Sequence, residues 1–329
     1  MVYLESPSHD PYFNLALEQY VFDCLPRSQE YFMLWQNDNA IIVGKHQNTA
    51  EEINADFVRQ RGIKVVRRLS GGGAVYHDMG NLNFTFIMDA GETRALDLTL
   101  FCQPVAQALQ RLGVDAQVNG RNDITIDGQK FSGNSQYLKG GRIMHHGTIL
   151  FDSDLSVVSQ ALQVSRDKIE SKGVQSVRSR VTTVKPYLQG NVSLATFQAL
   201  LLEAISDGTP MEEYHFTPQD LAAVQTLRDN RYATWDWNYG ASPRWSVRKQ
   251  RRVEGVGSIE VFLEIAKGRI TAVQFRGDYF ATEEPAPLVE RLLGLPLEEA
   301  ALTDALMGLS AQRYFTNLTT EELIHILVQ

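Results

Sequence analysis

The stretch VVRRLSGGGAVYHDMGNLNFTFIM, Val65 to Met88, decides the reading of the fold. Both of its ends are strand-like. "IKVVRRL" (63–69) runs into the glycines. In "NLNFTFIM" (81–88), Leu82, Phe84 and Phe86 alternate with Asn83 and Thr85, the two-residue period of a strand. Gly71, Gly72 and Gly73 lie between. Such a run is a turn or bulge that needs positive φ, or a nest of backbone N–H groups open to an anion, with Arg67 and Arg68 adding charge beside it. The segment after it, "AVYHD", reads as strand. The P-loop pattern GxxxxGK(S/T) is absent, and so is GxGxxG before a helix. An anion held here is held by neither of those loops.

A second constellation lies at 120–152, "GRNDITIDGQKFSGNSQYLKGGRIMHHGTILFD". Asp127-Gly128 is a strong two-residue hairpin turn. It sets Ile126 opposite Gln129, Thr125 opposite Lys130 and Asp123 opposite Ser132. Side-chain alternation then puts Asp123, Thr125, Lys130 and Ser132 on one face, and Ile124, Ile126 and Phe131 on the other. Asp123 and Lys130 become diagonal neighbours, about 7–8 Å apart along the backbone and within reach of a long side chain. Gly133 stands where a strand would favour a side chain. Gly140-Gly141 makes a second turn. His145 and His146 lack a third nearby ligand, so packing or substrate hydrogen bonding suits them better than a metal.

Around these blocks the chain reads as α+β. Residues 10–26 predict a first helix, capped by Asp10, opened by Pro11 and stopped by Pro26. Its inner face would carry Phe13, Leu17, Tyr20, Val21 and Cys24. "EYFMLWQNDNAIIVGKHQ" (30–47) predicts two strands about an Asn-Asp-Asn turn. Further helices fall near 100–112, 155–172 and 193–206. The mixed segment 232–252 marks a boundary near 243, followed by a hairpin about Lys267-Gly268 and short helices. Thr319 and Glu322 have capping-box spacing before the last helix. The expected plan is a large mixed-sheet domain over 1–243 and a small α/β domain over 244–329.

Composition narrows the function. A net charge of −8 is unlike a general nucleic-acid binder, and no stretch approaches a membrane span. The N-terminus lacks a secretion signal. Two cysteines, Cys24 and Cys102, form neither a disulfide framework nor a metal motif, which fits a reducing cytoplasm.

Together, "RRLSGGGAVYHDMGNLNFTF", "GRNDI", "GQKFSGN", "HHGTILFD" and "SKGVQSVRSRVT" resemble the signature blocks of the lipoate–protein ligase A family, in order. The start, "DPYFNLALEQ", resembles that family too, and the tail more loosely resembles its accessory domain. The resemblance implies the biotin/lipoate ligase fold and two half-reactions. Lipoate and ATP, with Mg²⁺, would give lipoyl-adenylate and pyrophosphate. The lipoyl group would then pass to a lysine of a 2-oxoacid dehydrogenase E2 subunit or the glycine cleavage H protein. Lys130 matches the residue that contacts the lipoyl carbonyl and the α-phosphate side. Arg68 and Gly73, Ala74, Val75 and Tyr76 match the nucleotide side, with Asn122 and Asp123. Gly71, Gly72, His77, Ser132, Gly133 and His146 match the lipoate side. Asp123 would hold Mg²⁺ or position Lys130; both readings stand. Arg178 and Arg180 are candidates to close over the nucleotide or the acceptor. A monomer is the default expectation. Two alternatives have different chemistry: a transferase working through a cysteine thioester without ATP, and a non-catalytic lipoate binder.

Overall fold

The computed structural model describes residues 1–47, 49–91, 97–119, 122–162, 181–239, 247–266 and 269–328. The expected boundary near 243, the Lys267-Gly268 turn, Arg178, Arg180 and most of the helix expected at 155–172 lie outside the described residues. The chain divides into two compact units. The first comprises Met1–Val43, Thr49–Leu69 and Ala74–Asn238; the second comprises Gly44–Asn48, Ser70–Gly73 and Tyr239–Gln329.

The strands of the first unit are β1 (Val2–Glu5), β2 (Tyr31–Trp35), β3 (Ala40–Val43), β4 (Lys64–Arg67), β5 (Val75–His77), β6 (Asn81–Asp89), β7 (Ala116–Asn119), β8 (Asp123–Ile126), β9 (Gln129–Lys139), β10 (Arg142–Leu150) and β11 (Glu212–Glu213). Eight of them form one mixed sheet in the order β11-β1-β2-β6-β10-β9-β8-β7. The other three make a small sheet in the order β4-β3-β5. β2 and β3, adjacent in sequence, therefore belong to different sheets. Asn39, at φ 44°, makes the corner between them.

The helices α1 (Pro11–Cys24), α2 (Leu98–Arg111), α3 (Leu194–Ile205) and α4 (Pro218–Leu227) pack on this framework. One face of the large sheet, with Phe32, Leu34, Phe84 and Phe86, is closed by Phe101, Val105 and Leu109 of α2 and by Phe197 and Leu201 of α3. The other face carries a different gradient. Met33, Ile87 and Met144 pack beneath Leu17 and Val21 of α1, together with Ile42 and Val66 of the small sheet. Further along the same rows of β6 and β10, every second residue is polar: Thr85, Asn83 and Asn81 on β6, His146 and Thr148 on β10. All five are buried. A sheet face that stops being apolar before it stops being buried has polar groups to satisfy, which is the mark of a binding surface rather than of a core.

α1 is more deeply set than a one-faced helix. Asn14, Glu18 and Gln19 are buried along with Leu15, Leu17 and Val21, while Cys24, expected on the inner face, is exposed. The helix carries so many buried positions because it lies between two sheets, so a single stripe does not describe it. Asp10 occupies the N-cap position without a side-chain cap bond; its carboxylate instead pairs with Lys64 at 3.0 Å and Arg228 at 2.8 Å. At the other end, Arg142 donates to the carbonyls of Phe22, Leu25 and Pro26, satisfying helix-end acceptors.

The second unit has an antiparallel sheet of β12 (Val247–Val253), β13 (Gly257–Ala266) and β14 (Arg269–Gly277). Its core joins Val261, Leu263 and Phe275 to Leu288, Leu306, Phe315 and Leu323. The last helix begins with the expected capping box, Glu322 N donating to Thr319 Oγ1 and Thr319 N to Glu322 Oε2. The segments 44–48 and 70–73 are part of this unit. The Gly72 N–H donates to the Tyr279 carbonyl at 3.3 Å, Gly277 N–H to the His46 carbonyl at 2.7 Å, and the His46 ring stacks on Tyr279 at 4.5 Å. A Cβ on Gly71 would sit 2.4 Å from the Tyr279 oxygen, so only glycine fits there. Among the described residues, no helix is long and apolar enough to cross a membrane.

Candidate active site

The hairpin β8–β9 supplies an ion pair, Asp123 with Lys130. Asp127 and Gly128 both have positive φ, 51° and 74°, the geometry of a tight hairpin turn. Ile126 pairs with Gln129 and Thr125 with Lys130, as the turn predicts. Beyond that point the register shifts. Phe131 is bulged out of the ladder, so Ser132 lies opposite Ile124, and Asp123 lies opposite Gly133 rather than Ser132. Two consequences follow from that one extra residue. Ser132 turns to the apolar side, buried, and accepts from Asn134 Nδ2 at 3.2 Å. Asp123 and Lys130 remain on one face and form an ion pair at 2.6 Å, each side chain about a third exposed. Gly133 makes room for it: a Cβ there would lie 3.0 Å from Lys130 Nζ. Past the undescribed segment the chain returns to this strand, with Thr182 N–H donating to the Lys130 carbonyl at 2.9 Å.

From Gly133 the polar face continues. The Gly133 N–H donates to Thr148 Oγ1 at 3.2 Å. His146 Nδ1 lies 3.0 Å from Glu18 Oε1, and the same carboxylate oxygen accepts from Thr85 Oγ1 at 2.6 Å, which in turn accepts from Trp35 Nε1 at 2.9 Å. Asn81 Nδ2 donates to Asn83 Oδ1 at 2.9 Å, leaving the buried Asn81 Oδ1 and Asn83 Nδ2 without partners among the described residues.

Arg68 and His77 enter from the small sheet. Arg68 is buried, with a guanidinium nitrogen 3.1 Å from the Ile42 carbonyl. Burial pulls its pKa down to about 10, against the opposing pull of the Glu18 charge. It therefore stays cationic at neutral pH. His77 is buried and its pKa falls to about 3, through burial and then the Arg68 charge. The hydrogen-bond chain assigns its tautomer. Asn14 Nδ2 donates to Asn37 Oδ1, so Asn37 Nδ2 faces His77 Nδ1, which must accept. The proton is then on Nε2, a buried donor with no partner among the described residues. Tyr76, on the alternate face of β5, bonds Asn39 Oδ1 at 3.1 Å, and burial pushes its pKa up to about 12. Asp78 caps the following turn through Gly80 N–H and accepts from Asp154 N–H at 2.7 Å.

Within the first unit, Lys130, Asp123, Gly133 and His146 lie on the large sheet, His77 lies on β5 of the small one and Arg68 directly follows β4. Ala74, Val75 and Tyr76 precede His77 as part of or just before β5. Gly71, Gly72 and Gly73 belong to the second unit. Asn122 sits at the start of the hairpin with its Nδ2 donating to the Asn134 carbonyl at 2.9 Å. Sequence reasoning missed Glu18, Trp35, Thr85, Asn81 and the role of Asn83. The alternation in β6 signalled only Asn81, Asn83 and Thr85. Among the described residues, no cluster of three His, Cys, Asp or Glu side chains could cage a metal.

Comparison with known proteins meets this geometry from outside. Residues 10–206 match the model of the lipoyl protein ligase A/B catalytic domain, and residues 242–327 that of the bacterial lipoate protein ligase C-terminus. The chain is 42% identical to the lipoate-protein ligase LplJ of Bacillus subtilis over 99% of its own length and 100% of that protein. The crystal structure of P. falciparum LipL1 in complex with lipoate is similar in fold, at 21% identity, TM-score 0.81, and coverage of 100% and 99% of the two chains. A lipoate-protein ligase A bound with ATP aligns at 26% identity and TM-score 0.61, over 73% of this chain and 97% of that one.

Proposed function

This chain belongs to the lipoyl protein ligase A/B family, and on that premise we propose how its own residues join lipoate to a protein lysine. The activity is that of an ATP-dependent lipoate–protein ligase, which forms lipoyl-adenylate and pyrophosphate. Two anions must meet in the first step. A lipoate carboxylate oxygen attacks the α-phosphorus of ATP, and the bond to pyrophosphate breaks. Lys130 carries this reading: its ammonium is held by Asp123 on the polar sheet face. The ammonium offsets the repulsion between carboxylate and phosphate and stabilises charge developing at phosphorus, a contribution of about 3–4 kcal/mol for one well-placed donor. Arg68, which is buried, supplies a second cation on the nucleotide side. The unpartnered His77 Nε2–H and Asn83 Nδ2–H are donors for acceptor atoms of the bound ligands. Gly133 leaves room for the Lys130 ammonium itself, which a Cβ there would meet at 3.0 Å.

In the second step the amine of an acceptor lysine attacks the acyl carbonyl and AMP leaves. Lys130 stays an ammonium throughout, donating to the carbonyl oxygen as the charge builds there. We place the acceptor lysine on an E2 lipoyl domain or the glycine cleavage H protein. Mg²⁺ fits the site with one protein carboxylate, because it takes most of its ligands from phosphate oxygens and water. Asp123 would hold it, with Asn122 beside it, and bound there it would neutralise phosphate charge. Both cysteines are free, which supports a reducing, cytoplasmic setting. Mass spectrometry of an acceptor domain incubated with ATP, Mg²⁺ and lipoate tests the assignment. A mass gain equal to one lipoyl group that disappears without ATP is expected; no gain with lipoate and ATP, but a gain when an acyl thioester donor replaces them, would establish the transferase instead.

A further inference from the structure

The face of the large sheet turned away from the candidate site holds a polar chain inside an aromatic core. His145 is fully buried there, its ring stacked at 4.9 Å on Phe101 and 6.0 Å on Phe84. Gln136 Nε2 lies 2.7 Å from the Asp97 carbonyl and 3.1 Å from His145 Nδ1. His145 Nε2 lies 3.2 Å from Asn134 Oδ1. Asn134 then grips Asn122. Its N–H and Nδ2 both donate to the Asn122 carbonyl, at 2.9 and 3.1 Å, and Asn122 Nδ2 returns a bond to the Asn134 carbonyl at 2.9 Å. Every donor meets an acceptor if His145 is neutral with its proton on Nε2, and burial drives the ring well below its usual pKa.

Strands pair without such a chain, and placing Gln136, His145 and Asn134 among phenylalanines costs desolvation that an all-apolar core avoids. The fold also keeps a gap for it. A Cβ on Gly147 would lie 2.2 Å from Asn134 Oδ1 and 2.4 Å from Phe84. What the chain fixes is the Asn122 carbonyl, one peptide before Asp123. Asp123 in turn holds Lys130.

We propose that His145 is a positioning residue for adenylation: through Asn134 and Asn122 it fixes the peptide that carries Asp123, and so the place of the Lys130 ammonium, from the opposite side of the sheet. The proposal rests on the ligase reading of Lys130. It separates His145 from its neighbour His146, which faces Glu18 on the site side.

His145→Phe keeps the stack and deletes both hydrogen bonds. His145→Gln places an amide near the Nε2 position and keeps the link to Asn134. Two readouts are needed: steady-state pyrophosphate release with lipoate and ATP, and amide hydrogen exchange at Asn134. For His145→Phe, kcat should fall about 100-fold, the cost of a misplaced catalytic group. The KM for lipoate should stay unchanged, and the Asn134 amide should exchange at least about tenfold faster while the β6–β10 amides keep their protection. His145→Gln should restore most of both. Wild-type kcat in His145→Phe, or loss of kcat with Asn134 still protected, overturns the proposal. If His145→Phe does not fold, Gln136→Met, which removes the Nδ1 partner from the outer end, is judged by the same two readouts. If the wild-type protein itself releases no pyrophosphate, the ligase reading fails, while the exchange measurement still decides whether His145 holds Asn122.

Discussion

Asp123 Oδ1 and Lys130 Nζ lie 2.6 Å apart across a hairpin whose ladder is broken between them by the bulge at Phe131. The bulge brings Gly133 rather than a bulkier residue opposite Asp123. The ammonium sits over that glycine, and each partner is still reachable by a ligand.

Lys130→Ala removes the cation. Pyrophosphate release with saturating lipoate and ATP should fall by 10² to 10³, about 3–4 kcal/mol for a lost preorganised donor. The side chain is over a third exposed, so unfolding in urea should shift by no more than about 1 kcal/mol. Release at the wild-type rate would remove Lys130 from the mechanism.

Asp123→Asn separates the two roles of the carboxylate. It keeps a polar contact to Lys130 but weakens a Mg²⁺ ligand. If the residue holds the metal, the Mg²⁺ concentration for half-maximal activity should rise at least about tenfold, in the range seen when groups supporting a metal are lost. A lowered kcat with an unchanged Mg²⁺ requirement would leave Asp123 as the residue that positions Lys130.

Gly133→Ala and Gly147→Ala should behave oppositely. The added methyl at 133 meets the far end of a flexible lysine, 3.0 Å from Nζ. Stability should hold while kcat drops. At 147 it meets Asn134 and Phe84 inside the core, and overpacking of that kind costs about 1–3 kcal/mol. Denaturant midpoints and pyrophosphate release on the same samples test the pair.

Cys24→Ser with Cys102→Ser should spare ligation. Cys102 is fully buried and its thiol is pushed up to about 12 by burial, then by the Asp123 and Asp97 charges. A nucleophilic thiolate is therefore not available there at neutral pH. Loss of lipoyl transfer in the folded double variant would revive the thioester route.

His77 makes stability depend on pH in a definite direction. Its folded pKa is about 3, below the ordinary value of about 6.5. The unfolded chain therefore binds the extra proton first as pH falls. Above that ordinary value the group contributes nothing; between it and the folded value each pH unit costs up to about 1.4 kcal/mol. The stability gap between the wild type and His77→Asn, measured by urea unfolding, should narrow from pH 7 to pH 4.5. A constant gap would show that His77 protonates freely in the folded state.

The hairpin was legible because a turn dictates register locally. Asp127-Gly128 fixed Thr125 opposite Lys130, and alternation put Asp123 on the same side. The bulge was not legible, since it answers to long-range demands: Phe131 to the core, Lys130 to the site, and Gly133 to the space between. β6 shows the same limit in another form. Asn83 and Thr85 alternate with phenylalanines, which reads as a strand with a wet side. Here that side is buried, and Thr85 on it donates to Glu18 of α1. Glu18 gave no signal, because a glutamate within a helix reads as a solvent-facing position until the second sheet is seen. Cys24 misled for the converse reason, since apolar spacing located one stripe on a helix buried along several.

The split membership of the second unit bears on how the protein is made. Its loops 44–48 and 70–73 leave the ribosome early, and the Tyr279 carbonyl that receives Gly72 leaves late. The glycine run therefore spends most of translation without its eventual partner, and the sheet that carries Lys130 is fully synthesised before that run can settle. A shortened chain ending near residue 238 would keep every strand of the large sheet and Lys130, yet its "SGGG" would never acquire the hydrogen bond that shapes it in the full-length protein.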